Sequence, residues 1–357
     1  MRASSMPSEI VADPAVVTRR SLPALYLELT KARLSALVLL TTAVGYVLGA
    51  GAGFGSGTGG GIDWSVLLWT MVGTALAAGA ANALNQVVEF RRDALMHRTR
   101  NRPLPSGALG LVHGLAVALV MGYAGVFILA LLVNLAAAGL ALLTIVVYVG
   151  VYTPLKCRST VNTLVGAMCG AIPPVIGWVA ASGSLGPGAW ALAALLFVWQ
   201  IPHFLALAWI YREDYARGGF AMLPVFDRSG QLTCQMVVLG SLMLLPVGLI
   251  ATLAGPSGWI YAGGSMILGI WLVGLGIRLY ARRTEGNARS VFRASVVYLP
   301  VLLCLLVLDR PPLGGASIGP LAQASAAQPY AGEATLAEGP DGQVPSSIVL
   351  AAERRRD

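Results

Sequence analysis

Charge is scarce in this chain: 24 Lys and Arg and 16 Asp and Glu among 357 residues, 11% in all, against 56% hydrophobic. Soluble domains carry roughly 25% charged residues, so water is not its main solvent. Cysteine is also sparse. Cys157, Cys169, Cys234 and Cys304 lie far apart in or beside apolar runs and form no CxxC pair. That argues against a disulfide framework or zinc site and for small buried hydrophobes. The first 20 residues lack the apolar core of a cleavable signal, because Glu9, Asp13, Arg19 and Arg20 follow Arg2 without an apolar run. The two acids also count against a mitochondrial transit peptide, so the apolar run after Arg33 is expected to be retained.

Apolar segments of membrane length, about 20 residues, are abundant. Nine are read near 34–51, 64–88, 108–128, 131–152, 161–182, 188–210, 235–254, 258–279 and 291–308, with a turn near Asn134 dividing the uncharged stretch from Ala108 to Pro154. The connections after the first, third, fifth and seventh contain no lysine or arginine. Those after the second, fourth, sixth and eighth hold Arg91, Arg92, Arg98, Arg100 and Arg102; Lys156 and Arg158; Arg212, Arg217 and Arg228; and Arg278, Arg282, Arg283 and Arg289. Arg19, Arg20, Lys31 and Arg33 precede the first. The positive-inside rule then puts the amino terminus and the even connections in the cytoplasm. The net charge of +8 is thereby accounted for by topology and not by nucleic acid. The expected organisation is a flexible segment over 1–24, an all-α integral membrane bundle of about nine helices over 25–310, and a Pro-, Gly-, Ala- and Ser-rich tail over 311–357 read as disordered.

The exception to the scarcity of charge is NQVVEFRRDALMHRTRNRPLP, residues 85–105. Asn85, Glu89 and Asp93 recur every four residues; at 3.6 per turn successive members are about 400° apart and share one helical face. Three oxygen-bearing side chains on one face suit Mg²⁺, which takes one or two carboxylates, keeps waters and bridges to phosphates. Arg98, Arg100 and Arg102 follow, and guanidinium forks match phosphate oxygens. A second polar cluster, QIPHFLALAWIYREDYARGGFAMLPV, places His203 after the kink-forming Pro202 and closes on Tyr211, Arg212, Glu213, Asp214 and Tyr215. His203 is read either as functional or as simply bonded to a neighbour, and His113 as structural. A third cluster, YTPLKCRSTVN, supplies Lys156, Arg158 and Asn162.

Taken together these stretches resemble the intramembrane aromatic prenyltransferase (UbiA-type) superfamily, whose first motif is NxxxDxxxD. Gln86 and Glu89 within that motif, its continuation through Met96, Arg98, Thr99, Arg102, Pro103 and Leu104, and YTPLK, GAIPPVIGW, PHFLALA, REDYARGG and MLPV are similar to its heme-farnesylating branch. The resemblance covers about residues 25–308. One departure concerns the acidic second motif DxxxD, whose positions here hold Tyr211 and Tyr215 with Asp214 between; that puts a second metal ion in doubt.

The resemblance implies a nine-helix bundle around a central lipid-accessible cavity in the bacterial plasma (inner) membrane. Farnesyl diphosphate would be one substrate and heme b the other. Asn85, Glu89 and Asp93 would bind Mg²⁺, and Arg98, Arg102, Lys156, Arg158 and Arg212 would hold the diphosphate. Asp214, Tyr211 or Tyr215 would stabilise cationic charge or handle a proton, and His203 would contact the heme. Heme A synthase or a terminal oxidase assembly is the implied partner besides membrane lipid. Two readings compete: a superfamily member acting on a quinone precursor or chlorin, and a multispan transporter. Against the transporter, no inverted repeat and no midplane charge pair is visible.

Overall fold

The computed structural model describes residues 21–51, 61–254 and 257–310; the expected tail over 311–357 and the first 20 residues lie outside them. Thirteen α-helices make up the described residues: α1 Leu22–Leu29, α2 Ala32–Gly51, α3 Trp64–Asp93, α4 Leu111–Leu132, α5 Leu135–Val146, α6 Thr153–Leu155, α7 Asn162–Ser182, α8 Pro187–Ile210, α9 Arg212–Arg217, α10 Leu223–Phe226, α11 Gln231–Leu253, α12 Trp259–Ala281 and α13 Glu285–Leu308, with a π-helical segment Val147–Tyr152 between α5 and α6. Among the described residues nine helices are long and apolar enough to cross a membrane, the fourth running from Leu135 to Leu155 through the π-helical segment. Each coincides with an apolar segment of the sequence.

Polarity is distributed as in a protein dissolved in lipid. Val112, Leu135, Trp259 and Leu308 stand exposed on the outside, while Thr70, Thr74, Asn82, Asn85, Gln86, Gln200 and Ser295 are buried. A helix hides its own backbone groups, so an apolar exterior is stable in hydrocarbon, and polar side chains find partners only inside the bundle. This is an integral membrane protein.

The helix ends use short polar side chains as caps. Asp63 accepts from the amides of Ser65 and Val66 at the start of α3. Asn134 accepts from the Ala137 amide at the start of α5 and donates to the carbonyl of Val179 on α7. Asn134 thus marks the turn expected between the third and fourth spans and ties it to a neighbour. At the same end, the one described basic residue beyond α13, Arg310, donates to the carbonyl of Val47.

Two features of packing position the site. The first is the crossing of α2 and α7, where a Cβ on Gly45 would meet the carbonyl oxygen of Pro174 at 1.9 Å and one on Gly177 would meet that of Thr42 at 1.9 Å. Only glycine lets these backbones approach so closely. The second is the length of α3. Its 30 residues span about 45 Å at 1.5 Å per residue, against about 30 Å of hydrocarbon. Its last turns, which carry the Asn85/Glu89/Asp93 stripe, thus continue beyond the length of an ordinary span at the basic end of the bundle.

The short α1, absent from the sequence reading, starts inside the segment expected to be flexible. It is held down by Gln86, whose amide nitrogen donates to the carbonyls of Glu28 and Leu29. His113, expected to be structural, bonds to the Tyr26 hydroxyl at 2.7 Å.

Candidate active site

A cavity of about 330 Å³ opens between α2, α3, the π-helical segment, α7 and α8. Its deeper wall is mostly apolar, with Val38, Ala78, Ala81, Gly170, Pro173 and Phe204 among the lining residues beside the polar Asn82, Thr144 and Gln200. Thus the proline-bearing stretches GAIPPVIGW and QIPHF both contribute to it. At the basic end it is lined by Asn85, Glu89 and Asp93 from α3, Arg98 and Arg102 from the connection to α4, Lys156 after α6, Tyr215 from α9, and Lys31.

The stripe is buried: Asn85 is 0%, Glu89 4% and Asp93 1% exposed. Burying carboxylates demands partners, and each member has a cation brought from elsewhere in the chain. Lys156 Nζ donates to both Glu89 oxygens, at 2.9 and 3.2 Å. Arg102 Nη1 donates to Asp93 Oδ2 at 2.7 Å. Lys31 Nζ donates to Asn85 Oδ1 at 2.9 Å. Asn85 Nδ2 in turn donates to Thr153 Oγ1, which donates to the carbonyl of Tyr148 inside the π-helical segment. The wide turn of that segment sets Tyr148 and Tyr152 on the cavity wall, rings 5.1 Å apart, with Lys156 Nζ 4.6 Å from the Tyr152 ring centre. Although burial opposes it, the Glu89 carboxylate holds the Lys156 ammonium above its ordinary pKa.

Lys31 is the residue that sequence reasoning missed as a site member and counted only as topological charge. It is the one described non-glycine residue with positive φ, 49°, a conformation that side chains other than Gly adopt at a cost and that clusters at functional sites. Burial pushes its ammonium down to about 7, with repulsion from Arg102 and Lys156 adding to the effect. Nothing in the local pattern TKARL separates it from other juxtamembrane lysines; the fold brings it to Asn85.

The donor set fits a divalent cation. Asp93 Oδ1 is buried, lacks a hydrogen-bond partner and belongs to a residue lining the cavity. Two carboxylates and one amide, with phosphate oxygens and waters completing the shell, is the chemistry Mg²⁺ takes.

Other expected site residues fall outside the cavity. Arg158 is exposed. Arg212 lies over the Trp209 ring and donates to that residue's carbonyl. His203 turns toward α13, where Nδ1 meets Ser295 Oγ at 2.9 Å and the ring packs against Trp199 and Phe292. Tyr211 and Asp214 line a separate recess with His97, Arg212, Arg217 and Glu285, though the Tyr211 ring still lies 4.8 Å from the Arg98 guanidinium. Burial alone would raise the Asp214 carboxyl, yet Arg217 and the amides of Arg98 and His97 hold it below its ordinary pKa.

Comparison with known proteins decides the family. The profile of the UbiA prenyltransferase family matches residues 38–299. The chain belongs to this family. Among its UbiA relatives, the protoheme IX farnesyltransferase of Solibacter usitatus is 45% identical over 81% of this chain and 99% of its own length. The mitochondrial protoheme IX farnesyltransferase of Homo sapiens is 40% identical over 84% of this chain and 65% of its own. A solved digeranylgeranylglyceryl phosphate synthase superposes with TM-score 0.66 at 15% identity, covering 80% of this chain and 97% of that one. A UbiA homologue from Archaeoglobus fulgidus bound to GPP and Mg²⁺ gives 0.54 at 15% identity, with coverage of 79% and 99%. At such identity the solved structures establish the shared fold.

Proposed function

We propose that this UbiA-family protein transfers the farnesyl group of farnesyl diphosphate to a vinyl group of heme b, with addition of water, giving heme O and diphosphate. The observation that carries this reading is the polarity of the cavity: carboxylates and cations gather at one end, and mostly apolar side chains line the depth. Such a shape suits an amphiphile with a polyanionic head and a hydrocarbon chain. The choice of farnesyl and heme draws on relatives named protoheme IX farnesyltransferase that match about four fifths of the chain.

Asn85, Glu89 and Asp93 would hold Mg²⁺, which supplies Lewis-acid neutralisation of the leaving diphosphate. Arg98, Arg102 and Lys156 would donate to diphosphate oxygens, and we add Lys31 as a fourth cation. The allylic C–O bond breaks as negative charge moves onto the diphosphate, and the farnesyl cation must bond to the vinyl carbon before water reaches it. The apolar walls exclude water at that stage. Tyr148 and Tyr152, which line the cavity, would stabilise positive charge with their rings, and Tyr152 already lies beneath the Lys156 ammonium. Water then captures the cation left beside the porphyrin ring and releases a proton, leaving a hydroxyethylfarnesyl chain.

The matching orientation is an amino terminus and basic end in the cytoplasm of a bacterial plasma membrane. The deciding assay gives membranes containing the protein Mg²⁺, farnesyl diphosphate and heme b, followed by mass spectrometry of extracted heme. A heme heavier by one farnesyl group and one hydroxyl group is expected. Prenylation of a quinone-precursor acid with no change in heme would overturn the acceptor, while leaving the diphosphate site standing.

A further inference from the structure

Asp214 occupies the stretch where the superfamily's second acidic motif would lie, and a carboxylate there invites a role at the metal or on a proton. Its geometry points elsewhere. Asp214 is buried, 8% exposed, but is absent from the cavity wall and lines the neighbouring recess. Its Oδ1 accepts from the backbone amide of His97 and its Oδ2 from that of Arg98, both at 3.3 Å, and Arg217 closes on Oδ1 from the next turn of α9. Both oxygens are thus spent on holding the connection between α3 and α4. The neighbouring residue completes the arrangement: Tyr215 accepts from Arg98 Nη2 at 3.2 Å, and the Arg98 guanidinium lies over the rings of Tyr211 and Tyr215. Arg92 ties the same two segments together by donating to the carbonyls of Gly218 and Gly219.

We propose that Asp214 is a positioning residue for Arg98: it clamps the His97–Arg98 backbone so that the guanidinium, in contact with the Tyr211 and Tyr215 rings, lines the polar end of the cavity. The segment YREDY then replaces a second metal-binding motif with an arginine holder. This rests on Arg98 binding the diphosphate as proposed above.

The test is a double-mutant cycle of Asp214→Asn, Arg98→Gln and the pair, reading half-saturation for farnesyl diphosphate, maximal rate and half-saturation for Mg²⁺. Hydrogen exchange at the amides of residues 96–99 is followed in parallel. Asp214→Asn weakens the charge-assisted hold on the His97 and Arg98 amides and is expected to raise half-saturation for farnesyl diphosphate roughly tenfold or more. Mg²⁺ half-saturation should stay within about twofold of wild type, the pair should be no worse than Arg98→Gln alone, and exchange at 96–99 should quicken. Arg217→Gln, which keeps the carboxylate, should give a smaller effect of the same kind and serves if Asp214→Asn fails to accumulate. A large shift in Mg²⁺ half-saturation, or effects that multiply in the pair, would overturn the proposal. If Arg98→Gln itself leaves half-saturation unchanged, the diphosphate role of Arg98 fails, and exchange at 96–99 decides the clamp: unaltered exchange ends it.

Discussion

Each carboxylate of the stripe serves two masters, the fold and the chemistry. Removing one partner of a buried ion pair costs about 3–5 kcal/mol, because the other charge is left without compensation. Glu89→Gln strands Lys156, whose side chain is 12% exposed; this variant should accumulate poorly as well as lose Mg²⁺-dependent diphosphate release. Adding Lys156→Met should restore accumulation but not activity. If the pair recovers both, Glu89 has no role beyond folding. Asp93→Asn leaves Arg102, whose side chain is 22% exposed and nearer water, so it should accumulate better than Glu89→Gln while activity collapses; wild-type diphosphate release would sink the metal assignment. Lys31 runs the opposite way. Lys31 is half-buried and its ammonium is repelled by Arg102 and Lys156, so Lys31→Met should be at least as heat-stable as wild type, yet need about tenfold more farnesyl diphosphate for half-saturation. Lower stability with unchanged half-saturation would make Lys31 structural. Sequence spacing alone makes the stripe readable, since one helix carries all three members. Lys31 is not readable in this way, because its role depends on contact across 54 residues. The directions of His203 and Arg212 are unreadable for a related reason: a polar side chain on a helix has several ways to turn, and these two meet Ser295 and the Trp209 carbonyl.

Among the elements, α2, α3 and α7 build the cavity through close approach and length. Overpacking in a dense interior costs about 1–3 kcal/mol and sometimes more. At Gly177 the obstacle is a backbone carbonyl, which cannot swing aside like a side chain. Gly177→Val should therefore lower the midpoint of thermal unfolding in detergent by several degrees and cut accumulation, whereas Gly139→Ala, with open space around its Cβ, should be silent. Equal behaviour of the two variants would refute the α2–α7 crossing as a fixed contact. Helix positions were legible because hydrocarbon demands continuous apolar runs. The crossing was not, because glycine in GYVLG and in PPVIGW looks the same whether it faces lipid or a backbone. The π-helical segment escaped notice likewise: Val147–Tyr152 reads as ordinary apolar helix, and the wider turn shows only in where Tyr148 and Tyr152 point.

For the molecule as a whole, the proposed site and the basic end coincide, and one physical cause would serve both. Arginine and lysine placed for diphosphate also resist translocation, so a site built from them stays on the side where the positive-inside rule holds connecting loops. That side is also where a soluble, polyanionic head would meet an enzyme whose cavity runs into hydrocarbon. The far end has the opposite composition: its described connections are capped by Asp63, Asn134 and Asp309, and its one described cation, Arg310, is occupied with the Val47 carbonyl. Orientation then becomes measurable with residues that serve neither site nor core. Arg158 and Ser184 are both exposed and lie in connections after the fourth and fifth spans. In a background lacking Cys157, Cys169, Cys234 and Cys304, Arg158→Cys should react with a membrane-impermeant maleimide only from the cytoplasmic side, and Ser184→Cys only from the other. Both variants should keep farnesyl transfer to heme, since neither residue lines the cavity. Labelling of the two from one side would break the nine-span path between them. Labelling from opposite sides in the reversed sense would keep that path but place the diphosphate site outside the cytoplasm, leaving farnesyl diphosphate no route to it from the cytoplasmic face.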